Sequence, residues 1–449
     1  MSNGTGGPAS SGFAPRLTLV DAALIVVGAT VGIGIFFTPA SAANVLPDGG
    51  LLLLAWTVAG LLSFAGALTY AELGALRSEA GGPYLYLRAA FGRGPSLLYG
   101  VGALGIVVSG AVALMATVFA LNLARFVPYG EGAVPFVAAA AVALLTATNV
   151  LGVKPGARFN NALTGVKIAT LLFLGISGLL LGRASSGAPA EAHAPPSGGG
   201  FLAALVPILF SYGGWQAVTS IAPEVRNPRR TLPLALALGS AIVVLLYLLA
   251  NAGYLAVLGA REMARLETTF AVEVASRTMG GLASDAVAAA ILVSALGVAN
   301  AYVLVMPRIA YAMAEDGLFP RAVASLHPRF RTPHVALLGF GAWTIAVLFL
   351  SPDFDRLLGR VVAADWFFFA ACGAALLKLR ARLGPPAPGT FRTPLHPLVP
   401  VVFVLGAASV AVVAAVQNPL DSLAGAGLLA GAALVIAILS RRSYGSSGP

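Results

Sequence analysis

The feature that most constrains this chain is the spacing of its charges. Segments 22–47, 49–71, 94–124, 132–153, 231–260, 286–307, 332–352, 393–420 and 422–440 contain no Asp, Glu, Lys or Arg. An α-helix needs about 20 apolar residues to cross the roughly 30 Å hydrocarbon core of a bilayer, and each of these runs is close to that length or longer. Three further spans follow if one anomaly is allowed in each. Segment 159–182 holds only Lys167, segment 361–377 holds only Asp365, and segment 201–223 is preceded by a low-complexity stretch. A chain that is 58% hydrophobic, 10% charged and of mean hydropathy +0.89 does not have the composition of a soluble domain. The reading is therefore an all-α integral membrane protein with 12 transmembrane helices.

The formal charge of +10 does not point to nucleic acid, because Lys and Arg are scattered singly between apolar spans. They report topology. With the N-terminus in the cytosol, 19 Lys and Arg fall on the inner side and 7 on the outer, with Lys167 in the membrane. Both termini are then cytosolic. Residues 1–16 read as a disordered cytosolic tail and 441–449 as a second tail. The N-terminal stretch has no basic n-region, so the first helix itself acts as the targeting signal. The single cysteine, Cys372, lies within the tenth span, so no disulfide-linked heavy chain is expected.

Residues 183–200 are dominated by Ala, Ser, Gly and Pro and read as a flexible extracellular linker between two halves. The halves are 17–182 and 201–383, five helices each, with helices eleven and twelve in 384–440. Because five is odd, consecutive five-helix units sit in the membrane with opposite orientations, an inverted repeat. Such a repeat requires corresponding interruptions in spans one and six. Span one carries Gly28-Ala29-Thr30-Val31-Gly32-Ile33-Gly34, and span six carries Phe210-Ser211-Tyr212-Gly213-Gly214-Trp215. Both interruptions fall roughly 17 Å into their helices at 1.5 Å per residue, near the bilayer midplane.

A broken helix exposes amides and carbonyls that hydrocarbon cannot satisfy. An α-amino acid zwitterion satisfies both sets. Its carboxylate suits the amides of Gly32, Ile33 and Gly34 at a half-helix N-terminus, and its ammonium suits the carbonyls of Ala29, Thr30, Phe210 and Ser211. Phe210 can lie over the substrate as a gate, with the substrate side chain meeting Gly213 and Gly214. The competing reading is that such glycines only let helices pack closely, but two clusters at matched depth favour the site.

Lys167 lies nine residues beyond Arg158, about 13 Å into the membrane and too deep for comfortable snorkelling. Either burial disfavours its charged form and it releases a proton during transport, or its ammonium stays charged and is held by carbonyls of the broken first helix. A purely structural tether is the third reading. Asn300 either caps unwound backbone or bonds a neighbouring helix. Asp365 is expected at the outer rim, and Glu72 and Glu224 at cytosolic ends, as gate ion pairs or solvated ones. The histidines form no recognisable metal site, and no cofactor is called for.

Taken together, the motifs resemble the amino acid-polyamine-organocation superfamily, in its L-type amino acid transporter branch and prokaryotic relatives. The resemblance is carried by Gly32-Ile33-Gly34-Ile35-Phe36, by Tyr70-Ala71-Glu72-Leu73, by Gly81-Gly82-Pro83-Tyr84-Leu85-Tyr86-Leu87 and by Phe91-Gly92. It continues through the Phe210–Gln216 segment, Glu224, Asn227-Pro228, Pro233, Gly297, Asn300, Arg308 and Asp316-Gly317. It implies a LeuT-like 5+5 inverted repeat with helices 1 and 6 broken, a gating aromatic at Phe210 and Lys167 in the place of a sodium ion. Ile33 departs from relatives that have a small hydroxyl residue there, and Gln216 from those that have asparagine.

The implied function is a permease for L-amino acids in the plasma membrane, sodium-independent, working as a proton symporter or an exchanger. Neutral substrates are favoured because the broken segments hold no carboxylate for a cationic side chain. A polyamine or organic-cation permease and a non-transporting amino acid sensor are the alternatives. An enzyme is disfavoured, since the spans hold no nucleophile, acid-base pair or metal cluster.

Overall fold

The computed structural model describes residues 12–182, 198–266, 270–350 and 354–417, with isolated positions 419, 425, 427, 430 and 431 beyond. The chain starts with α1 (Leu19–Thr30), capped by Thr18, whose side chain accepts the Asp21 amide while Asp21 accepts the Thr18 amide. This reciprocal cap satisfies donors that a helix start otherwise leaves open. The helix stops at Thr30 and resumes as α2 (Gly34–Val45), bent by 41°. Next come α3 (Gly49–Leu76), capped by Asp48, and the short α4 (Pro83–Phe91), which begins on a proline. A continuous span is then built from α5 (Arg93–Gly102), a π-helical turn (Ala103–Val107) and α6 (Val108–Leu123). The first half closes with α7 (Val134–Val150) and α8 (Val153–Leu181).

In the second half, α9 (Gly198–Ser211) ends in a break and continues as a 3₁₀ segment (Trp215–Glu224). Then follow α10 (Pro228–Leu266), α11 (Phe270–Met279), α12 (Gly281–Val305), α13 (Pro307–Glu315), α14 (His334–Leu350), α15 (Phe354–Leu383) and α16 (Leu398–Gln417). Among the described residues, eight helices are long and apolar enough to cross a membrane, and the bent α1–α2 pair makes a ninth. The shorter apolar α14 and the helix α15 cover the ninth and tenth expected spans. Apart from positions 425, 427, 430 and 431, the twelfth span lies outside the described residues, as do segment 183–197 of the linker and the C-terminal tail.

Helix association in lipid depends on packing and hydrogen bonds, because lipid tails are as apolar as the side chains. Small residues bring α8 and α10 into backbone contact: a Cβ on Gly178 would lie 2.5 Å from the Gly253 carbonyl oxygen. The long α10 also packs along α3 and α1, tying helices from before and after residues 183–197 together. Two expected boundaries are corrected. Residues 198–200, assigned to the linker by their glycines, form the first turn of α9. Residues 12–16, assigned to the disordered tail, are anchored: Phe13 is buried with its ring 4.9 Å from Tyr311, and the Arg16 amide donates to the Glu224 carbonyl at 2.9 Å. One apolar ring and an edge of open backbone outweigh the local Gly, Ser and Pro content.

Candidate substrate site

The two breaks face each other across one cavity of about 60 Å³, small beside the roughly 300–1,000 Å³ of a drug-sized pocket. Ala29, Thr30, Gly32, Ile33 and Gly34 line it from the first break, and Phe210, Ser211 and Gly213 from the second. Gly214 does not. It adopts φ +113° and comes so close to α1 that a Cβ there would lie 2.3 Å from the Ala29 carbonyl oxygen. Its lack of a side chain permits the left-handed turn and the crossing of the breaks, so it faces backbone, contrary to the expectation that it meets the substrate side chain. The Gly214 amide is accepted by Gln216 Oε1 at 3.0 Å, a cap on the broken end.

The unwound backbone has its own side-chain partners. Lys167, fully buried, donates from Nζ to the Gly28 carbonyl at 2.8 Å, in the last turn of α1. The Tyr247 hydroxyl on α10 lies 3.0 Å from the Thr30 carbonyl and 3.0 Å from the Ser211 carbonyl, bridging the two breaks. Ser294 donates to Val31 and Ser63 to Tyr212, at 3.3 and 3.2 Å. Two of the four carbonyls expected to receive an ammonium therefore already share Tyr247, and Phe210 accepts the Gly213 amide at 3.2 Å. On the donor side, the Gly32 amide faces the Tyr247 hydroxyl, while the amides of Ile33 and Gly34 carry no hydrogen bond among the described residues. Those two remain open at the start of α2, where the helix dipole favours an anion.

Asn300 does not line the cavity. It accepts from Asn149 at 2.9 Å and donates to the Gly156 carbonyl at 3.3 Å, tying α12 to α7 and α8. Of its two readings, the structure shows the bond to neighbouring helices. Asp365 is the larger correction. It was placed at the outer rim from its position in the sequence, but on α15 it lines the cavity beside Trp366, Phe369 and Tyr302. The helix begins at Phe354, well before segment 361–377, so Asp365 sits deeper along it than that segment implies. The premise that no carboxylate stands near the substrate holds for the broken segments and fails for the cavity as a whole.

At the expected cytosolic ends the acidic residues are buried, not solvated. Glu224 takes both forks of Arg308, at 2.9 and 3.0 Å, with both side chains almost inaccessible. Glu72 pairs with Arg380 at 2.6 Å and accepts the Thr393 amide at 2.7 Å. These pairs fasten the 3₁₀ end of span six to α13, and α3 to α15. Among the described residues no group of His, Cys, Asp and Glu could hold a metal ion.

Sequence reasoning missed Tyr247, Ser294 and Ser63, because a lone hydroxyl in an apolar span gives no sign of which backbone it will reach. It also missed the π-helical turn after Gly102, whose end places Val107 and the following Val108 on the cavity wall. Such turns insert a residue into a helix and re-aim the next ones, often at functional sites.

A polytopic helical bundle whose broken helices meet over a small polar-edged cavity defines a membrane carrier of small solutes. The comparisons agree: the amino acid permease family model matches residues 17–439, so the chain belongs to that family. The human cystine/glutamate transporter is 29% identical over 399 residues, spanning 86% of this chain and 78% of that protein. The serine/threonine exchanger SteT of Bacillus subtilis (strain 168) is 27% identical over 398 residues, 88% of this chain and 90% of the exchanger. The human b(0,+)-type amino acid transporter 1 is 29% identical over 385 residues, 83% of this chain and 77% of the transporter. The resemblance to the L-type branch and its bacterial relatives holds, and the protein is a permease, not an enzyme.

Proposed function

We propose that this protein carries L-amino acids across a plasma membrane by alternating access, without sodium, in a fold of two inverted five-helix units with both termini cytosolic. The observation that carries the reading is the pair of breaks, at 31–33 and 212–214, facing one cavity with the Ile33 and Gly34 amides open. The substrate carboxylate docks on those amides. Its ammonium takes the free lone pairs of the Ala29, Thr30, Phe210 and Ser211 carbonyls, since a carbonyl accepts two hydrogen bonds. Phe210, on the cavity edge, closes over the bound substrate.

Lys167 holds the end of α1 with a fixed ammonium, the function a sodium ion would have there. Substrate exchange and proton symport are the two coupling modes that remain, and the printed name of the Bacillus relative, an exchanger, favours the first. The buried pairs Glu72–Arg380 and Glu224–Arg308 act as the cytosolic latch that alternating access must open. The carrier works without a disulfide-linked partner, as its one cysteine, Cys372, is free and buried in α15. The broken segments favour a neutral side chain, and Asp365 in the cavity lining is the exception.

The test is uptake of radiolabelled amino acids into proteoliposomes, with and without a proton gradient, sodium, or internal amino acid. Flux that needs internal substrate identifies an exchanger, and flux driven by the proton gradient alone identifies a symporter. Absence of flux with every amino acid would refute the proposal and leave a polyamine or organic-cation permease, or a sensor.

A further inference from the structure

Among the described residues Asp365 has no counter-charge. Among the described residues it makes no ion pair and no hydrogen bond, and the cavity wall contains no Lys, Arg or His. Lys167 is bound to Gly28 and does not line the cavity. An ionised carboxylate in so confined a space is costly unless a cation meets it. Its neighbours are suited to a cation as well: Tyr302, Trp366 and Phe369 line the same wall, and aromatic faces attract ammonium and guanidinium groups. The ring of Phe369 packs against Trp366 at 5.2 Å and against Trp215 at 5.4 Å.

We infer that Asp365 is a specificity residue for a cationic group on the substrate side chain, so that amino acids bearing a second ammonium or a guanidinium are preferred over their neutral isosteres. The inference rests on the amino acid reading above: the open amides of α2 hold the α-carboxylate, the carbonyls of the breaks hold the α-ammonium, and Asp365 with its aromatic wall holds the distal cation. The sequence pointed the other way only because the carboxylate comes from α15 and not from a broken segment.

The test compares purified wild type, Asp365→Asn and Asp365→Glu in proteoliposomes. Uptake is measured for two isosteric pairs, ornithine against norleucine and the shorter 2,4-diaminobutyrate against norvaline, which suits a small cavity. Wild type should favour the cationic member of at least one pair, Asp365→Asn should lower that ratio about tenfold or more, as loss of a charge-assisted hydrogen bond implies, and Asp365→Glu should restore it. Uptake of neutral members alone by wild type, or an unchanged ratio in Asp365→Asn, would overturn the inference while leaving the amino acid carrier intact. An equal fall for both members would assign Asp365 to the α-ammonium and overturn it too. Failure of wild type to move any of the amino acids would bring down both the inference and the proposed function.

Discussion

Replacing Lys167 by methionine separates what the lysine does for stability from what it does for the site. The ammonium is fully buried and makes one hydrogen bond, 2.8 Å to the Gly28 carbonyl. Its tip packs on Gly297, where a Cβ would lie 2.7 Å from Cε, so a side chain of similar length refills the space. Removing a charge-assisted bond costs about 1.5–3 kcal/mol and leaves a carbonyl unsatisfied at about 1–3 kcal/mol. Against that stands the release of an ammonium from a low-dielectric site, worth several kcal/mol. The global terms nearly cancel, and the midpoint of thermal unfolding in detergent should move by only a few degrees. The site has no such compensation, because the last turn of α1 is no longer pinned beside the cavity. If the pinning bond is spent on holding the break in its binding geometry, its 1.5–3 kcal/mol becomes roughly a ten- to hundredfold loss of amino acid affinity. Equilibrium binding of labelled substrate and uptake with and without a proton gradient read both quantities. Wild-type affinity together with wild-type response to the gradient would refute the assigned role.

Three further perturbations probe the breaks and the latch. A Cβ on Gly34 would lie 2.5 Å from Ser211 Oγ and 3.1 Å from its Cα, whereas for one on Gly32 the nearest atom is Val298 Cγ2 at 3.3 Å. Gly34→Ala should therefore lower stability by about 1–3 kcal/mol, and Gly32→Ala by less, in parallel melting curves; equal melting would show that the breaks do not pack as described. Tyr247→Phe keeps the ring contacts to Trp56 and Tyr212 but removes the donor shared by Thr30 and Ser211, a loss of about 1–3 kcal/mol that an unchanged unfolding midpoint would contradict. Glu224→Gln leaves Arg308 buried without its anion and should cost about 3–5 kcal/mol, and adding Arg308→Met should recover most of it; a double variant no more stable than the single would show that the pair is not the source of the loss.

Much of this molecule was determined by sequence alone, for a physical reason. Lipid cannot hydrogen-bond a backbone, so each crossing must be a helix, and each helix must appear as a long gap between charges. The same constraint made the breaks legible: Gly32-Ile33-Gly34 and Gly213-Gly214 at matched depth had to expose polar backbone, and Lys167 was too deep to be incidental. What the sequence could not contain is which groups answer that backbone. Tyr247, Ser63 and Ser294 lie on other helices, and their bonds exist only once the bundle brings α10, α3 and α12 against the breaks. Gly214 looked like a substrate contact until its close approach to Ala29 showed a packing role. Asp365 looked like a rim charge because segment 361–377 understates the helix, which begins at Phe354, and because the direction in which a helix faces cannot be counted from sequence. That an acidic residue lines the cavity was decided by the tertiary structure, through the extent of α15 and the side it turns to its neighbours.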